Sequence, residues 1–224
     1  MKTAAVIVAA GRGLRAGAGQ PKQWRPLAGH SSAYYAMRAF ADHPQVHRLV
    51  LVVHPDDFAR GDWPADPPAD IVAGGASRSA SVLAGLQVIE GQCDQVLIHD
   101  AARPCVSSAV IDGVIAALRD NPAAAPALPV VDALWRGEDG AVADAVSREG
   151  LFRAQTPQGF HLARILAAHR AHPEGAADDV ELARRAGMTV AITPGSEDNL
   201  KITLPDDFNR AERILRAQDG HQTG

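Results

Sequence analysis

Short apolar runs rich in β-branched residues recur along the chain at residues 4–8, 49–53, 71–73, 96–98, 127–131 and 190–192. Apolar runs of this length, without polar alternation, predict strands buried on both faces. Between them the pattern takes a helical period. Val82, Leu83, Leu86 and Ile89 share one face of a helix predicted over 77–90, and Val110, Ile111, Val114, Ile115 and Leu118 do the same over 107–118. A last helix is predicted after Pro205, where Asp206 and Asp207 favour its positive end, and it continues through Phe208, Ile214 and Leu215. Alternating strands and helices predict an α/β fold with a doubly wound, mostly parallel sheet and a ligand site at the carboxyl ends of its strands. One segment breaks the alternation. Two half-apolar runs flank the acidic turn Glu138-Asp139-Gly140, which predicts a projecting β-hairpin within about 132–152. Its unpaired edges and Trp135 call for cover, either from a second subunit, as a dimerisation arm, or from its own domain.

Composition narrows the class. Of 224 residues, 46% are apolar and 21% charged, as in an ordinary globular protein, and no repeat or low-complexity linker divides the chain, so 1–224 reads as a single domain. The net charge of -4 offers no general attraction for nucleic acid or an anionic membrane, so an anionic ligand needs a local basic cluster. Cys93 and Cys105 match neither a redox pair nor a zinc-ligand set and read as buried or idle thiols. The apolar start is broken by Gly11, Arg12 and Arg15 before it reaches the length of a signal peptide, and no stretch approaches the roughly 18 apolar residues of a membrane span. The expectation is a cytoplasmic protein.

The first strand runs into Ala9-Ala10-Gly11-Arg12-Gly13-Leu14-Arg15 and on to Pro21-Lys22. Gly11, Gly13 and Ala16 loosely satisfy a dinucleotide fingerprint, but Pro21 and Pro26 forbid the helix it needs, and no acidic residue ends a second strand roughly 20 residues on. What remains is a glycine-rich loop with the cations Arg12, Arg15 and Lys22: a cradle for several phosphates, or a flexible basic surface loop. Asp100 and Arg103 emerge where the fourth strand ends, placed for a metal ion or a hydroxyl, or else for a turn cap or a mutual ion pair. The preceding His99 reads as packed or hydrogen-bonded rather than catalytic. The run Gly74-Gly75-Ala76-Ser77-Arg78-Ser79-Ala80-Ser81 suits contacts to a base or ribose, or simple helix capping. Asp198-Asn199-Leu200-Lys201 adds another cation, and no nucleophile elbow or metalloprotease motif is present.

These clusters, in this order, resemble the 2-C-methyl-D-erythritol 4-phosphate cytidylyltransferases over nearly the whole chain. His99-Asp100-Ala101-Ala102-Arg103-Pro104 is the most telling match, and Arg148-Glu149-Gly150-Leu151, Gln155-Thr156-Pro157-Gln158 and Asp198-Asn199-Leu200-Lys201-Ile202-Thr203 follow in order. The resemblance implies a Rossmann-like nucleotidyltransferase, acting as a homodimer on CTP and a polyol phosphate with Mg2+. It places Arg15 and Lys22 on the triphosphate, with Ala10, Gly11, Gly13, Gly75, Ser81, Asp100 and Ala101 around the nucleotide. Asp100, Arg103 and Thr156 would hold the polyol, Arg148 of a partner and Lys201 would hold its phosphate, and Asp100 and Asp198 would supply carboxylates to the metal. Ala133 and Ala177 depart from the family's pattern, each where relatives carry a threonine expected near the substrate phosphate.

Overall fold

The computed structural model describes residues 1–12 and 21–222, the side chains of 219–222 apart. Strand β1 (Thr3–Ala9) lies between β4 (Val46–Val53) and β6 (Gln95–Asp100), parallel to both, and β5 (Asp70–Ala73) continues the parallel order beyond β4. Past β6 come β11 (Gln158–His161), antiparallel, then β7 (Ala123–Pro129), with β12 (Val190–Pro194) parallel to β7 and β10 (Phe152–Ala154) antiparallel to it. The doubly wound, mostly parallel sheet is therefore present.

Every residue of β1 from Ala4 to Ile7 is fully buried because the strand feeds two cores at once. Ala5, Ile7 and Ala9 pack beneath α1 (Ser32–Ala41) and α4 (Ser108–Ala117), whereas Ala4 and Val6 pack beneath α3 (Arg78–Val88), α5 (Leu162–Ala171) and α6 (Asp179–Arg185). A side-chain period of two on a strand covered on both sides yields an unbroken apolar run. Helix α2 (Pro55–Arg60) follows β4, the two-residue strands β2 (Pro26–Leu27) and β3 (His30–Ser31) precede α1, and α7 (Asp206–Gln222) closes a smaller cluster through Ala211 and Leu215 against Leu27, Cys105 and Ile202. Among the described residues no helix is long and apolar enough to cross a membrane.

The two helices read from periodicity form with Ser77 and Ser107 as their N-caps, each accepting a backbone N–H through its side chain. The hairpin forms from β8 (Leu134–Glu138) and β9 (Ala141–Val146), and both turn residues, Asp139 and Gly140, take the positive φ that a tight two-residue turn needs. Trp135 is 67% exposed, so the hairpin is not folded against its own chain. The fifth strand differs from its expected place: β7 starts at Ala123, four residues earlier than the apolar run at 127, and stops at Pro129. Its first three residues are alanines, small enough to sit fully or nearly buried without any β-branched signal, Ala124 in the core beneath α4 and Ala123 in the core on the opposite face.

Gly85 sits where α3 touches the sheet, and a Cβ there would come within 2.7 Å of Val6 Cγ1 and 2.9 Å of Val52 Cγ2. Overpacking costs about 1–3 kcal/mol, against a gain of up to about 1 kcal/mol in helix propensity. Gly85→Ala is therefore expected to lower stability by up to about 2 kcal/mol, read as a lower urea midpoint with an unchanged slope. A midpoint at or above wild type would show that the helix stands farther from the sheet.

Candidate active site

The carboxyl ends of β1, β4, β5 and β6 lie along one edge, since Ala9 pairs with Val53, Val53 with Ala73, and Val8 with Asp100. Above that edge opens a cleft of about 680 Å³. Four described cations line it, Arg12, Lys22, Arg78 and Lys201, against a single carboxylate, Asp100. The local basic cluster that an acidic chain needs for an anionic ligand is thus in place.

Asp100 is the last residue of β6, and its side chain is 14% exposed. Lys201 Nζ donates to Oδ2 at 2.7 Å, and Arg78 Nη2 stands 3.6 Å from Oδ1. Burial alone would push the Asp100 carboxyl up, but Lys201 and Arg78, with Arg103 behind, hold it well below the usual carboxylate range. Beneath it lies a chain of hydrogen bonds. The Asp100 N–H donates to Thr156 Oγ1 at 3.2 Å, Thr156 Oγ1 lies 2.9 Å from His99 Nδ1, and His99 Nε2 lies 3.0 Å from the Arg103 carbonyl. A carbonyl only accepts, so Nε2 carries the hydrogen and Nδ1 of the neutral ring accepts from the threonine hydroxyl. Burial pushes His99 down to about 4, against the smaller effect of the bond to Arg103.

Arg103 turns inward. It is 9% exposed, and its guanidinium donates to the carbonyls of Asn199 at 2.6 Å and Ala154 at 3.3 Å. Gln155 Nε2 donates to the Ser196 carbonyl at 2.7 Å, and Asn199 Nδ2 donates to the Thr156 carbonyl at 2.8 Å. The segment that delivers Lys201 is thereby fastened to β10 and β6 by buried donors. Across the cleft, Lys22 opens a single 3-10 turn, Lys22–Trp24, and its Nζ donates to the Ile202 carbonyl at 2.7 Å. Gln23 Nε2 ties that turn to the end of β1 through the carbonyls of Ala9 and Gly11, at 2.7 and 2.8 Å. Buried Asp57 accepts from Trp24 Nε1 at 2.9 Å and stands 3.8 Å from Arg12 Nη1, so one carboxylate on α2 holds both flanks of the glycine-rich segment. Arg12 also pairs with Asp56.

Gly74 and Gly75 approach α3 too closely for side chains: a Cβ at either would fall 2.7 Å from Ser81 Oγ or 2.5 Å from Ala80 Cβ, respectively. The Gly75 N–H donates to Ser81 Oγ at 3.1 Å, and Ser81 donates in turn to the Ser77 carbonyl at 2.9 Å. The buried Ser81 hydroxyl therefore shapes the Gly75 backbone, which faces the cleft.

Residues 3–217 match the family model described as IspD: 2-C-methyl-D-erythritol 4-phosphate cytidylyltransferase. The chain belongs to this family. It is 64% identical over 221 residues to the 2-C-methyl-D-erythritol 4-phosphate cytidylyltransferase of Roseobacter denitrificans, covering 99% of this chain and 100% of that one. It is also 64% identical over 214 residues to a bifunctional enzyme IspD/IspF of Paracoccus denitrificans, covering 95% of this chain but 56% of that protein. Among solved structures, the 2-C-methyl-D-erythritol 4-phosphate cytidylyltransferase of Thermus thermophilus superposes with a TM-score of 0.81 at 32% identity, covering 96% of this chain and 100% of that one.

Of the residues that the family resemblance singled out, the structure gathers Ala10, Gly11, Lys22, Gly75, Ser81, Asp100, Ala101 and Lys201 around the cleft. Gly13 and Arg15 lie outside the described residues. Arg103 and Thr156 stand behind the cleft wall: Arg103 Nη1 and Nη2 donate to backbone carbonyls, its buried Nε has no partner among the described residues, and Thr156 Oγ1 is shared between the Asp100 N–H and His99. Asp198 is exposed and lines a separate groove between α1 and α7, whereas Asp100, expected beside it at a metal, lines the cleft. Among the described residues no group of three or more His, Cys, Asp or Glu side chains is placed to hold a metal. Arg148 stands exposed at the foot of the hairpin, donating to the Val131 carbonyl, and does not line the cleft of its own chain. Ala133 and Ala177 are likewise exposed and outside it. Arg78 and Gln23 receive no role from the sequence, although Arg78 is the lone charge in the run Gly74 to Ser81 and so carries a signal.

The neutral His99 makes stability depend on pH. Its folded value lies below the unfolded 6.5, so the unfolded chain binds more protons, and stability is full above about 6.5 and is lost as pH falls towards about 4. The contribution is on the order of 3 kcal/mol. His99→Gln keeps an amide donor but cannot titrate, so its urea midpoint is expected to vary less between pH 6.5 and 4 than that of wild type. Parallel curves for the two proteins would mean that His99 is accessible to protons in the folded state.

Proposed function

We propose that this chain transfers CMP from CTP to 2-C-methyl-D-erythritol 4-phosphate in the cytoplasm, forming CDP-methylerythritol and pyrophosphate in non-mevalonate isoprenoid biosynthesis. The observation that carries the reading is the cleft itself: Arg12, Lys22, Arg78 and Lys201 face a single carboxylate at the carboxyl edge of a parallel sheet. In such a transfer a phosphate oxygen of the polyol attacks the α-phosphorus of CTP, the new P–O bond forms as the bond to the β-phosphate breaks, and pyrophosphate leaves. A phosphate oxygen is already nucleophilic, so the work consists of alignment and neutralisation of like charge.

Lys22, tied to the Ile202 carbonyl, is placed to meet the triphosphate, and Arg15 is assigned with it. The Gly75 backbone, shaped by Ser81, serves the base. Asp100 receives the polyol hydroxyls, and Lys201 passes from Asp100 to the polyol phosphate. Arg103 and Thr156 act from behind, by fixing Lys201's segment and the end of β6.

Magnesium fits as a companion of the triphosphate. Asp100 is the only carboxylate among the described lining residues, and magnesium commonly takes one or two carboxylates and fills its shell with phosphate oxygens and water. When bound it would draw charge from the phosphates. Arg148 is not among the described residues that line the cleft of its own chain, and the hairpin that bears it exposes Trp135, Val142 and Val146, which supports a homodimer in which each arm completes the other's site.

Pyrophosphate release with CTP and a panel of polyol phosphates tests the substrate, and the expected result is activity with methylerythritol phosphate above that with ribitol 5-phosphate. Lys22→Ala is expected to lower turnover roughly 10²–10³-fold while changing CTP affinity little. Turnover within about three-fold of wild type would remove Lys22 from the chemistry. For the dimer, Lys22→Ala and Arg148→Ala are each expected to be inactive alone and to regain activity on mixing, since one site of the heterodimer carries both native residues. A mixture that stays inactive after verified subunit exchange would mean that each site is built from one chain.

A further inference from the structure

We propose that Arg78 is a positioning residue that holds the Asp100 carboxylate in place when Lys201 leaves it for the substrate phosphate. The inference rests on the functional reading above, in which Lys201 passes from Asp100 to the substrate phosphate. Lys201 occupies Asp100 Oδ2 at 2.7 Å, and as its ammonium turns to the phosphate its hold on that oxygen weakens. A buried carboxylate without a cation is costly, and it is also free to rotate.

Arg78 is built to remain. Its Nη2 stands at the other oxygen, Oδ1, at 3.6 Å, so the two cations do not compete. Its Nη1 donates to Asp179 Oδ2 at 2.7 Å, and Asp179 is 1% exposed. The second oxygen of Asp179 lies 3.1 Å from Nε2 of buried His169, whose Nδ1 lies 3.2 Å from the hydroxyl of Ser79, the neighbour of Arg78 on α3. The loop closes on itself through α3, α6 and α5. An arginine fork tied from behind loses little further freedom when it meets a second carboxylate, whereas Lys201, with a side chain 44% exposed, reaches Asp100 from the solvent side. Burial alone would lower the Arg78 guanidinium, but Asp179 and Asp100 together raise it, in keeping with a cation lodged between two carboxylates. Arg78 thus acts on the polyol through Asp100, not by touching the reacting atoms.

The test compares wild type with Arg78→Gln, Arg78→Lys and Asp179→Asn. It measures KM and kcat for methylerythritol phosphate by pyrophosphate release, CTP affinity by calorimetry, and folding by urea midpoint. Misplacement by about 1 Å costs up to about 10²-fold, so Arg78→Gln is expected to reduce kcat/KM for the polyol phosphate by about 10- to 100-fold, with CTP affinity within about three-fold of wild type. Arg78→Lys should recover part of the loss. Asp179→Asn, which leaves Arg78 in place but weakens its anchor, should show a smaller defect of the same kind. Three outcomes would overturn the proposal: Arg78→Gln with polyol constants within about two-fold of wild type, CTP affinity falling as far as polyol efficiency, or a lowered urea midpoint with unchanged kinetics in the folded fraction. A wild-type protein inactive on methylerythritol phosphate would instead overturn the functional reading and take this proposal with it.

Discussion

A carboxylate at the end of a buried strand keeps its charge only if cations come to it, and most of the cleft is arranged around that requirement at Asp100. Lys201 arrives from a segment 101 residues away in sequence, and that segment is stationary because Arg103, Gln155 and Asn199 fasten it. Arg78 arrives from the first turn of α3, steadied by Asp179. Even the backbone of Asp100 is held, by a threonine hydroxyl that donates its own hydrogen to a neutral imidazole. The direction of each interaction is dictated by the poverty of the interior in water.

The same constraint explains which residues face the ligand. Polar groups around the cleft divide into cations that line it and buried groups whose hydrogen bonds go to the protein itself. Lys22 belongs to the first kind, Thr156, Ser81 and Arg103 to the second. Residues of the second kind set distances and leave the charge to others, which suits a reaction that needs neither a nucleophilic side chain nor a general base.

Much of this was legible in the sequence. Lys22 closes a glycine-rich segment and Asp100 ends a strand, where parallel sheets place ligands, Lys201 is singled out by the family resemblance, and the Asp139-Gly140 turn announces the hairpin. What escaped did so for physical reasons. The alanines that open β7 carry no strand signal because their burial is decided by the helices packed on the two faces of the sheet, and β10 and β11 are only three and four residues long. The inward turn of Arg103 depends on carbonyls at Ala154 and Asn199 that lie 51 and 96 residues away. The Arg78–Asp179 pair spans 101 residues, and no local pattern links its members.

The division of labour between sheet and loops bears on how such a site can diversify. Of the cleft's described charges, only Asp100 belongs to a strand of the central sheet, while Lys22, Arg78 and Lys201 stand on a short turn, a helix start and a connecting segment. Exchanges at those three positions disturb few of the apolar contacts that hold the sheet, because none belongs to its cores. Selection can therefore retune which phosphorylated alcohol is accepted while the scaffold stays almost untouched, whereas any lineage that loses the strand-borne acid must rebuild the centre of the molecule.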